Sequence, residues 1–280
     1  MMPLDLLKNI FRPFVFKKRH RKAILRDMRR YNMVTGSGEA YYFTQYMNVL
    51  EPVLGDDLTG ATILDLGCGQ GRFAIPMAKR GASLHAVDIS PDAIAFARQY
   101  ASEHKVSDGI QFANCAFDDF FRGCRDRFDF VLCIEALYMD PDYLRTLSNI
   151  SRHLKTGGKA IIGLRPRLYD VLDKVYHKDF DGAHAVLNAA ASADRPYRLK
   201  PFNSHTADES KRLIAAHGLR IDRFFGIGAL SGLDGDPFSQ ICHPGALDPA
   251  DADRLQALEQ SVGTTFYEFC RYFLIVAGKP

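Results

Sequence analysis

The chain has 280 residues, 47% of them hydrophobic and 25% charged, with a net charge of +3, and this composition excludes disordered and collagen-like classes. No apolar run approaches the roughly 18 residues that cross a bilayer, and Lys8, Arg12 and Pro13 interrupt any signal-peptide core, so we expect a cytoplasmic protein. The six cysteines form no CxxC pair, which predicts reduced thiols and no metal site.

The first 38 residues form a basic segment that differs from the rest of the chain. Residues 1–30 carry a net charge of +8, which leaves −5 for residues 31–280 and argues against a nucleic-acid-binding body. Apolar residues of this segment share one helical face and precede a basic run: Leu4, Leu7, Phe11, Phe14 and residues 17–22. This pattern is typical of a membrane-surface helix, so residues 4–30 are a candidate peripheral membrane contact. A solvated or partner-docked helix is the alternative.

From residue 39 to residue 280, strand-like and helix-like segments alternate, which predicts one domain with a parallel sheet and helices on both faces. The predicted strands are Ala61–Leu66, Ser83–Val87, Ile110–Ala113, Phe128–Ile134, Lys159–Leu164, Leu219–Phe225 and Arg271–Gly278. The predicted helices are Arg72–Arg80, one that begins at Ser90, Tyr143–Leu154 and Thr206–Gly218. The fold class is therefore α/β, doubly wound and Rossmann-like, with a seven-stranded sheet. Two less regular insertions, about 166–205 and 229–265, follow the fifth and sixth strands.

A glycine-rich turn follows the first predicted strand. Asp65 ends that strand, and Gly67, Gly69 and Gly71 alternate with other residues before a helix. Glycine allows close approach of the backbone to a ligand, and a helix N-terminus favours a negatively charged group. A dinucleotide fingerprint requires glycine at position 72, where this chain has Arg72. A turn that only packs a strand against a helix is the alternative interpretation.

The next strand ends at Asp88, 23 residues after Asp65, where a doubly wound fold places an acid against ribose hydroxyls. The spacing Asp-x-Gly-x-Gly-x-Gly resembles motif I of the class I S-adenosylmethionine-dependent methyltransferases, in the small-molecule group that includes ubiquinone-pathway O-methyltransferases. Later segments are similar to that family in the same order: Val87–Ser90, Asn114–Phe120, Phe128–Cys133, Leu154–Gly158 and Arg271–Pro280. The resemblance implies a mixed sheet whose last strand is antiparallel, with substrate-lid insertions.

The resemblance also implies S-adenosylmethionine as cofactor and S-adenosylhomocysteine as product. Asp88 would bind the ribose diol and Ile89 the adenine, and the loop before them would hold the amino acid and sugar through Asp65, Gly67, Cys68, Gly69 and Gly71. The segment that caps the adenine contains Ala116 where the family has Asp, which leaves Phe117 or Asp118 as substitutes. Cys133 would lie at the methionine end. Tyr42, on an upstream aromatic helix, would cover the same end or only pack against the sheet.

The acceptor is less defined by the sequence. Cys133-Ile134-Glu135-Ala136 differs from the Asn/Asp-Pro-Pro-aromatic motif of amino-methylating nucleic-acid enzymes, and Leu144 stands where an arginine methyltransferase would have its second glutamate. The remaining interpretation is methyl transfer to oxygen or nitrogen of a small or lipid-like metabolite. His205 and Tyr138 are the catalytic candidates, because a hydroxyl acceptor gains from a general base. The alternative function is a non-catalytic, cofactor-binding subunit that docks to a partner.

Overall fold

A computed structural model describes residues 37–188, 198–199 and 202–280. Its strands are β1 (Thr62–Leu66), β2 (Ser83–Asp88), β3 (Ile110–Asn114), β4 (Phe128–Cys133), β5 (Leu154–Pro166), β6 (Arg198–Leu199), β7 (Phe202–His205), β8 (Arg220–Ile227) and β9 (Tyr272–Gly278). Its helices are α1 (Ser37–Leu54), α2 (Ala74–Lys79), α3 (Pro91–Glu103), α4 (Phe117–Gly123), α5 (Tyr143–His153), α6 (Arg167–Tyr176), α7 (Phe180–Asn188), α8 (Ala207–Ala216) and α9 (Pro249–Thr265).

The strands form one mixed sheet in the order β3-β2-β1-β4-β5, continued by β9 and then β8. Strands β1 to β5 run parallel, and β9 is antiparallel to both β5 and β8. The predicted α/β class, the seven strands and the antiparallel last strand are therefore confirmed. The antiparallel course of β9 has a functional consequence, because it brings the first residues of β9 to the edge where β1 to β5 end.

Helices cover both faces of this sheet because its central strands are apolar on both sides. Ile63 of β1 packs in a core cluster with Leu50 of α1, whereas its neighbour Leu64 packs in a second cluster with Ile150 of α5. All four side chains are fully buried. Successive side chains of β1 therefore point to opposite faces of the sheet, and helices on both faces pack against this one strand. The glycine turn follows the end of β1.

The structure differs from the expectations mainly in the insertions. In the first insertion, α6 and α7 form a helical pair, and a short β6–β7 hairpin joins the end of β5 through the pairing of His205 with Pro166. Helix α6 was missed although Leu168, Val171, Leu172 and Val175 recur at helical spacing. Helix α2 is also shorter than the predicted Arg72–Arg80, because Gly67 to Phe73 form turns rather than helix.

The predicted basic segment, residues 1–38, lies almost wholly outside the described residues, as does the membrane contact assigned to residues 4–30. Within the described ranges, no helix is both long and apolar enough to span a membrane.

Candidate functional site

A cavity of about 600 Å³ opens at the edge of the sheet where β1, β2, β4 and β5 end. Ligands of doubly wound folds bind at this edge, and the volume lies in the range of small-molecule sites. Of the eleven residues predicted to bind a cofactor, seven line the cavity: Gly67, Cys68, Gly69, Asp88, Ile89, Ala116 and Phe117.

The glycine turn forms one wall because its backbone takes conformations that other residues avoid. Gly67 has a φ of +78°, and a Cβ atom there would collide with the methyl group of Ala136. The amides of Gly67 and Cys68 both donate to the carbonyl oxygen of Val87, at 2.8 and 3.1 Å. The turn is thus fixed to β2, and the missing side chain at Gly67 lets its backbone pack closely against Ala136.

Asp88 organises the turn from the end of β2. Its Oδ2 atom accepts a hydrogen bond from the Gly69 amide at 2.9 Å, and its Oδ1 atom accepts one from the Ser90 amide at 2.8 Å. Burial raises the pKa of Asp88, although these backbone hydrogen bonds act in the opposite direction. The carboxyl group therefore lines the cavity and, at the same time, fixes the two loops that form it.

Three of the predicted residues lie behind the cavity wall rather than on it. Asp65 is 2% exposed, and burial together with nearby Asp88 raises its pKa to about 7. Its Oδ2 atom has no hydrogen-bond partner among the described residues. Gly71 is also behind the wall, because a Cβ atom there would lie 2.8 Å from Ile75, and Cys133 is fully buried in β4. In this structure these three residues support the wall, and their assignment as direct contacts stays a prediction.

The far side of the glycine turn is apolar at the position where the family has an acid. Ala116 precedes α4, and the ring of Phe117 lies next to the site of a Gly67 Cβ atom, 3.7 Å away. Asp118 lines the cavity and forms an ion pair with Arg145 at 2.7 Å. The structure therefore brings both sequence-based substitutes, Phe117 and Asp118, to the cavity.

Arg72 connects α1 to the loop after β4. Its Nη1 and Nη2 atoms donate to Glu39 and Glu135 at 3.0 and 2.9 Å, and its guanidinium group lies over the ring of Phe73. Arg72 is buried, and all three charged groups line the cavity. Burial alone would raise the pKa of Glu135, but the charge and hydrogen bond of Arg72 lower it below its ordinary value. The charge of Arg271, which also lines the cavity, acts on both carboxylates as well.

Glu135 also has an unusual backbone conformation, with a φ of +54°. A non-glycine residue in this region costs about 1–3 kcal/mol and is held there only by its surroundings. The Arg72 hydrogen bond and the close approach of β5 hold it, since a Cβ atom on Gly163 would lie 2.8 Å from the Glu135 amide. The left-handed backbone conformation of Glu135 directs its side chain toward Arg72 at the cavity.

Next to Glu135, whose charge acts on Tyr138 and Tyr272, the cavity is lined by tyrosines and arginines, among them Tyr138, Tyr169, Tyr272, Arg165 and Arg271. Tyr138 stacks on Tyr272 with ring centroids 5.8 Å apart. Burial raises the pKa of Tyr138 well above its ordinary value, so its phenol stays protonated. Tyr138 thus lies where a substrate would bind, but as a neutral hydrogen-bonding group rather than as a base.

His205, the other catalytic candidate, does not line the cavity. It is 3% exposed at the end of β7, its ring packs against Tyr143, and neither ring nitrogen has a hydrogen-bond partner within the described ranges. Burial lowers its pKa to about 4. Its position outside the cavity and the weak basicity that this pKa implies do not support the role of a general base, and none of the histidines in the described part of the chain lines the cavity.

Tyr42 also lies outside the cavity lining. Its hydroxyl forms a hydrogen bond with Ser231 at 3.1 Å, and the Arg271 guanidinium lies over its ring at 4.5 Å. The packing alternative of the sequence analysis therefore describes Tyr42. Glu39, one turn earlier on α1, is the residue of this helix that reaches the cavity.

Sequence analysis missed the charged residues of both ends. Arg72 and Glu135 were noticed only as departures from other motifs, although a charged residue beside a glycine turn is itself a signal of a ligand site. Arg165 and Arg271 lie 106 positions apart in sequence and line the same cavity only because β9 pairs with β5.

Within the described ranges, no group of three or more histidine, cysteine or acidic residues is arranged to hold a metal ion.

A comparison with known proteins finds methyltransferases that resemble the part of the chain containing the glycine turn. A family model described as a methyltransferase domain matches residues 57–212. A ubiquinone biosynthesis O-methyltransferase of Xanthomonas oryzae is 33% identical over 122 residues, which are 41% of this chain and 50% of the relative. One of Coxiella burnetii is 30% identical over 140 residues, covering 50% of this chain and 57% of the relative. The chain thus matches about half the length of these curated relatives.

A solved structure, the magnesium protoporphyrin IX methyltransferase of Synechocystis with bound S-adenosylhomocysteine, resembles this chain over 99% of both chains. The TM-score is 0.57 and the sequence identity 17%, so this likeness supports the fold.

Proposed function

The chain belongs to the class I S-adenosylmethionine-dependent methyltransferases, and we propose that it transfers a methyl group from this cofactor to an oxygen or nitrogen atom of a small or lipid-like metabolite. The observation that carries the proposal is a single cavity with two different ends. One end contains the glycine turn and Asp88, and the other contains tyrosines and arginines. A transferase requires this arrangement, because donor and acceptor must meet in one water-poor space.

The residues at the first end fit S-adenosylmethionine. The backbone of the glycine turn lines the cavity, and Asp88 presents a carboxyl group to it. Eight acidic residues line the cavity against three arginines, and this charge balance suits a cationic cofactor. We propose that the cofactor is held by the seven lining residues of the sequence prediction: Gly67, Cys68, Gly69, Asp88, Ile89, Ala116 and Phe117.

When bound, S-adenosylmethionine supplies an activated methyl group on a sulfonium, so the protein has little bond-making chemistry to add. Its residues orient the acceptor and exclude water. Tyr138 and Tyr272 form an aromatic wall that is 5% exposed at Tyr138, and Tyr169 closes it from α6. The phenols can donate hydrogen bonds to an acceptor but remain protonated themselves. The names of the curated relatives support an oxygen acceptor.

Two measurements test this function. The purified full-length chain is first analysed by mass spectrometry for retained S-adenosylmethionine or S-adenosylhomocysteine. It is then incubated with methyl-labelled S-adenosylmethionine and a fractionated extract of the source organism. We expect label in a small-molecule or lipid fraction, and label in lipid would favour a membrane-associated acceptor. Bound cofactor without transferred label would instead support a non-catalytic, docking subunit. Label confined to protein or nucleic acid would refute the proposed substrate class.

A further inference from the structure

Glu39 brings a carboxylate from helix α1 to the wall of the cavity. Its side chain is 18% exposed, and its Oε2 atom accepts a hydrogen bond from Arg72 at 3.0 Å. The Oε1 atom accepts no hydrogen bond from the described part of the chain, and it is not among the fully buried polar atoms. Arg72 therefore fixes one oxygen of this carboxylate, and the other oxygen remains accessible to a ligand.

The charges around Glu39 come from both ends of the cavity. The cofactor end contains the glycine turn, and the acceptor end contains the rings of Tyr138, Tyr169 and Tyr272. The charged groups that act on Glu39 are Arg72 after the glycine turn, Glu135 after β4, and Arg271 before β9. The Arg271 guanidinium also lies over the ring of Tyr272 at 5.5 Å. Glu39 thus lies where the two ends meet, which is where a methyl group would pass from donor to acceptor.

The two carboxylates around Arg72 differ in their affinity for a proton. Burial and the charge of Glu135 raise the pKa of Glu39, although Arg72 and Arg271 act in the opposite direction. The charge and hydrogen bond of Arg72 lower the pKa of Glu135. Glu39 is therefore the more basic of the two, and a carboxylate with a raised pKa is a better proton acceptor near neutral pH.

Other lining groups are less suited to accept a proton from a ligand. The lining tyrosines Tyr138 and Tyr272 stay protonated, because burial raises the pKa of each phenol. Several lining carboxylates already bind donors of the protein through backbone or hydroxyl hydrogen bonds or through an ion pair: Asp88, Asp118, Asp140 and Asp236. Glu39 differs from these four because only one of its oxygens is engaged.

We propose that Glu39 is the catalytic base that takes the proton from a hydroxyl acceptor bound at the acceptor end. This inference rests on the proposed function, since it assigns a residue and an acceptor atom to the same cavity. The acceptor oxygen gives its proton to the Oε1 atom of Glu39 as it forms a bond to the methyl carbon. The bond between that carbon and sulfur breaks, and its electron pair stays on sulfur. Glu39 then releases the proton to water, and the product is a methyl ether.

The first test places a phenol beside Glu39 without any methyl transfer. 4-Nitrophenol is titrated into the full-length chain saturated with S-adenosylhomocysteine, and the absorbance of the bound phenolate is followed as the pH increases. A carboxylate next to the hydroxyl disfavours the phenolate, so the pKa of the bound phenol should be higher in the wild-type chain than in Glu39→Gln, by about one pH unit or more. Equal pKa values in the two chains, or a phenol that does not bind, would overturn the inference.

The second test measures transfer from methyl-labelled S-adenosylmethionine into the extract fraction that accepts label. Glu39→Gln keeps an oxygen for Arg72 but is no base, so the limiting rate should fall about 100-fold or more. The KM for S-adenosylmethionine and the affinity for S-adenosylhomocysteine should stay nearly unchanged. The wild-type rate should rise with pH as Glu39 loses its proton and then level off, whereas Glu39→Gln should lack this rise. An undiminished rate in folded Glu39→Gln would overturn the inference.

Further variants assign the effect to this carboxylate. Glu51→Gln is the matched control, because Glu51 lies on the same helix but is exposed and outside the cavity. If Glu39→Gln does not fold, Glu39→Asp decides, since a shortened carboxylate should lower the rate and keep the rise with pH. Asp142→Asn tests a neighbouring carboxylate of the cavity, and a larger loss of rate there than in Glu39→Gln would overturn the inference.

The two tests separate this inference from the function on which it depends. A chain that binds S-adenosylhomocysteine and transfers label equally well in Glu39→Gln refutes the role of Glu39 alone. A wild-type chain that transfers no label refutes the proposed methyltransferase function.

Discussion

Replacement of Asp88 by asparagine tests the cofactor end of the cavity with little change in volume. The carboxylate accepts two backbone hydrogen bonds, from Gly69 at 2.9 Å and from Ser90 at 2.8 Å. An amide oxygen can accept one of them, but the amide nitrogen is a donor and would face the other N–H group. The substitution therefore leaves one buried donor without its acceptor and removes the negative charge from the cavity.

The magnitude follows from these two losses. An unpaired buried donor costs about 1–3 kcal/mol of stability, and a hydrogen bond to a charged acceptor contributes about 1.5–3 kcal/mol. If the charged acceptor binds the ribose hydroxyls, affinity for S-adenosylhomocysteine should fall by about 10- to 100-fold, at 1.4 kcal/mol for each factor of ten. Asp88→Ala should weaken binding at least about tenfold as well, since it removes both acceptors.

The assay is calorimetric titration with S-adenosylhomocysteine at pH 8. Because burial raises the pKa of Asp88, this pH keeps the carboxyl group of the wild-type chain ionised. Circular dichroism confirms that each variant is folded at the assay temperature. Asp57→Asn is the matched control, because Asp57 also accepts a backbone hydrogen bond, from Thr59 at 2.9 Å, but is exposed and outside the cavity. Unchanged affinity in folded Asp88→Asn would refute the assignment of this end to the cofactor.

Three further predictions concern other parts of the site. Gly67→Ala should weaken S-adenosylhomocysteine binding and lower the melting temperature more than Gly55→Ala, because both positions have a positive φ but only Gly67 lacks space for a Cβ atom; equal effects would contradict the close approach to Ala136. Arg72→Met should reduce the free energy of unfolding in urea by about 3–5 kcal/mol, since it leaves the carboxylates of Glu39 and Glu135 without the cation that bridges them; a loss below about 1 kcal/mol, the contribution of a surface pair, would show that the bridge is dispensable. His205→Leu should leave methyl transfer unchanged, because His205 does not line the cavity. The pKa of His205 in the folded chain is about 4, below the ordinary value of 6.5, so wild-type stability should fall as the pH decreases from 6.5 toward 4, and His205→Leu should lack that decrease in urea unfolding.

The parts of the fold that sequence analysis predicted correctly share a local cause. Strands such as Phe128–Cys133 are mostly apolar runs, and Ser90 with Pro91 is a local start signal for α3, whose cap accepts a hydrogen bond from Ala93 at 3.2 Å. In the first insertion, the apolar pattern of α6 is a local signal that the sequence analysis did not use, whereas the hairpin has none. The β6–β7 hairpin depends on pairing with the end of β5, and a pairing partner distant in sequence leaves no trace in local spacing.

The same distinction applies to the cavity. The cofactor end is built mostly from residues adjacent in sequence, from Gly67 to Arg72 and from Asp88 to Ile89, so a motif predicts it. Asp65 and Gly71 do not line the cavity, because a motif gives the order of residues but not which of them face it. Burial and the charge of Asp88 raise the pKa of Asp65 to about 7.

The acceptor end could not be predicted because each of its members comes from a different element. Arg165 lies one residue before the end of β5, Arg271 immediately precedes β9, and Asp236 belongs to the second insertion. The register of β5 against β9 brings both cations within reach of one ring, that of Tyr272. Local sequence signals therefore predict the glycine turn and Asp88, whereas long-range strand pairing determines which charged residues share the rest of the cavity.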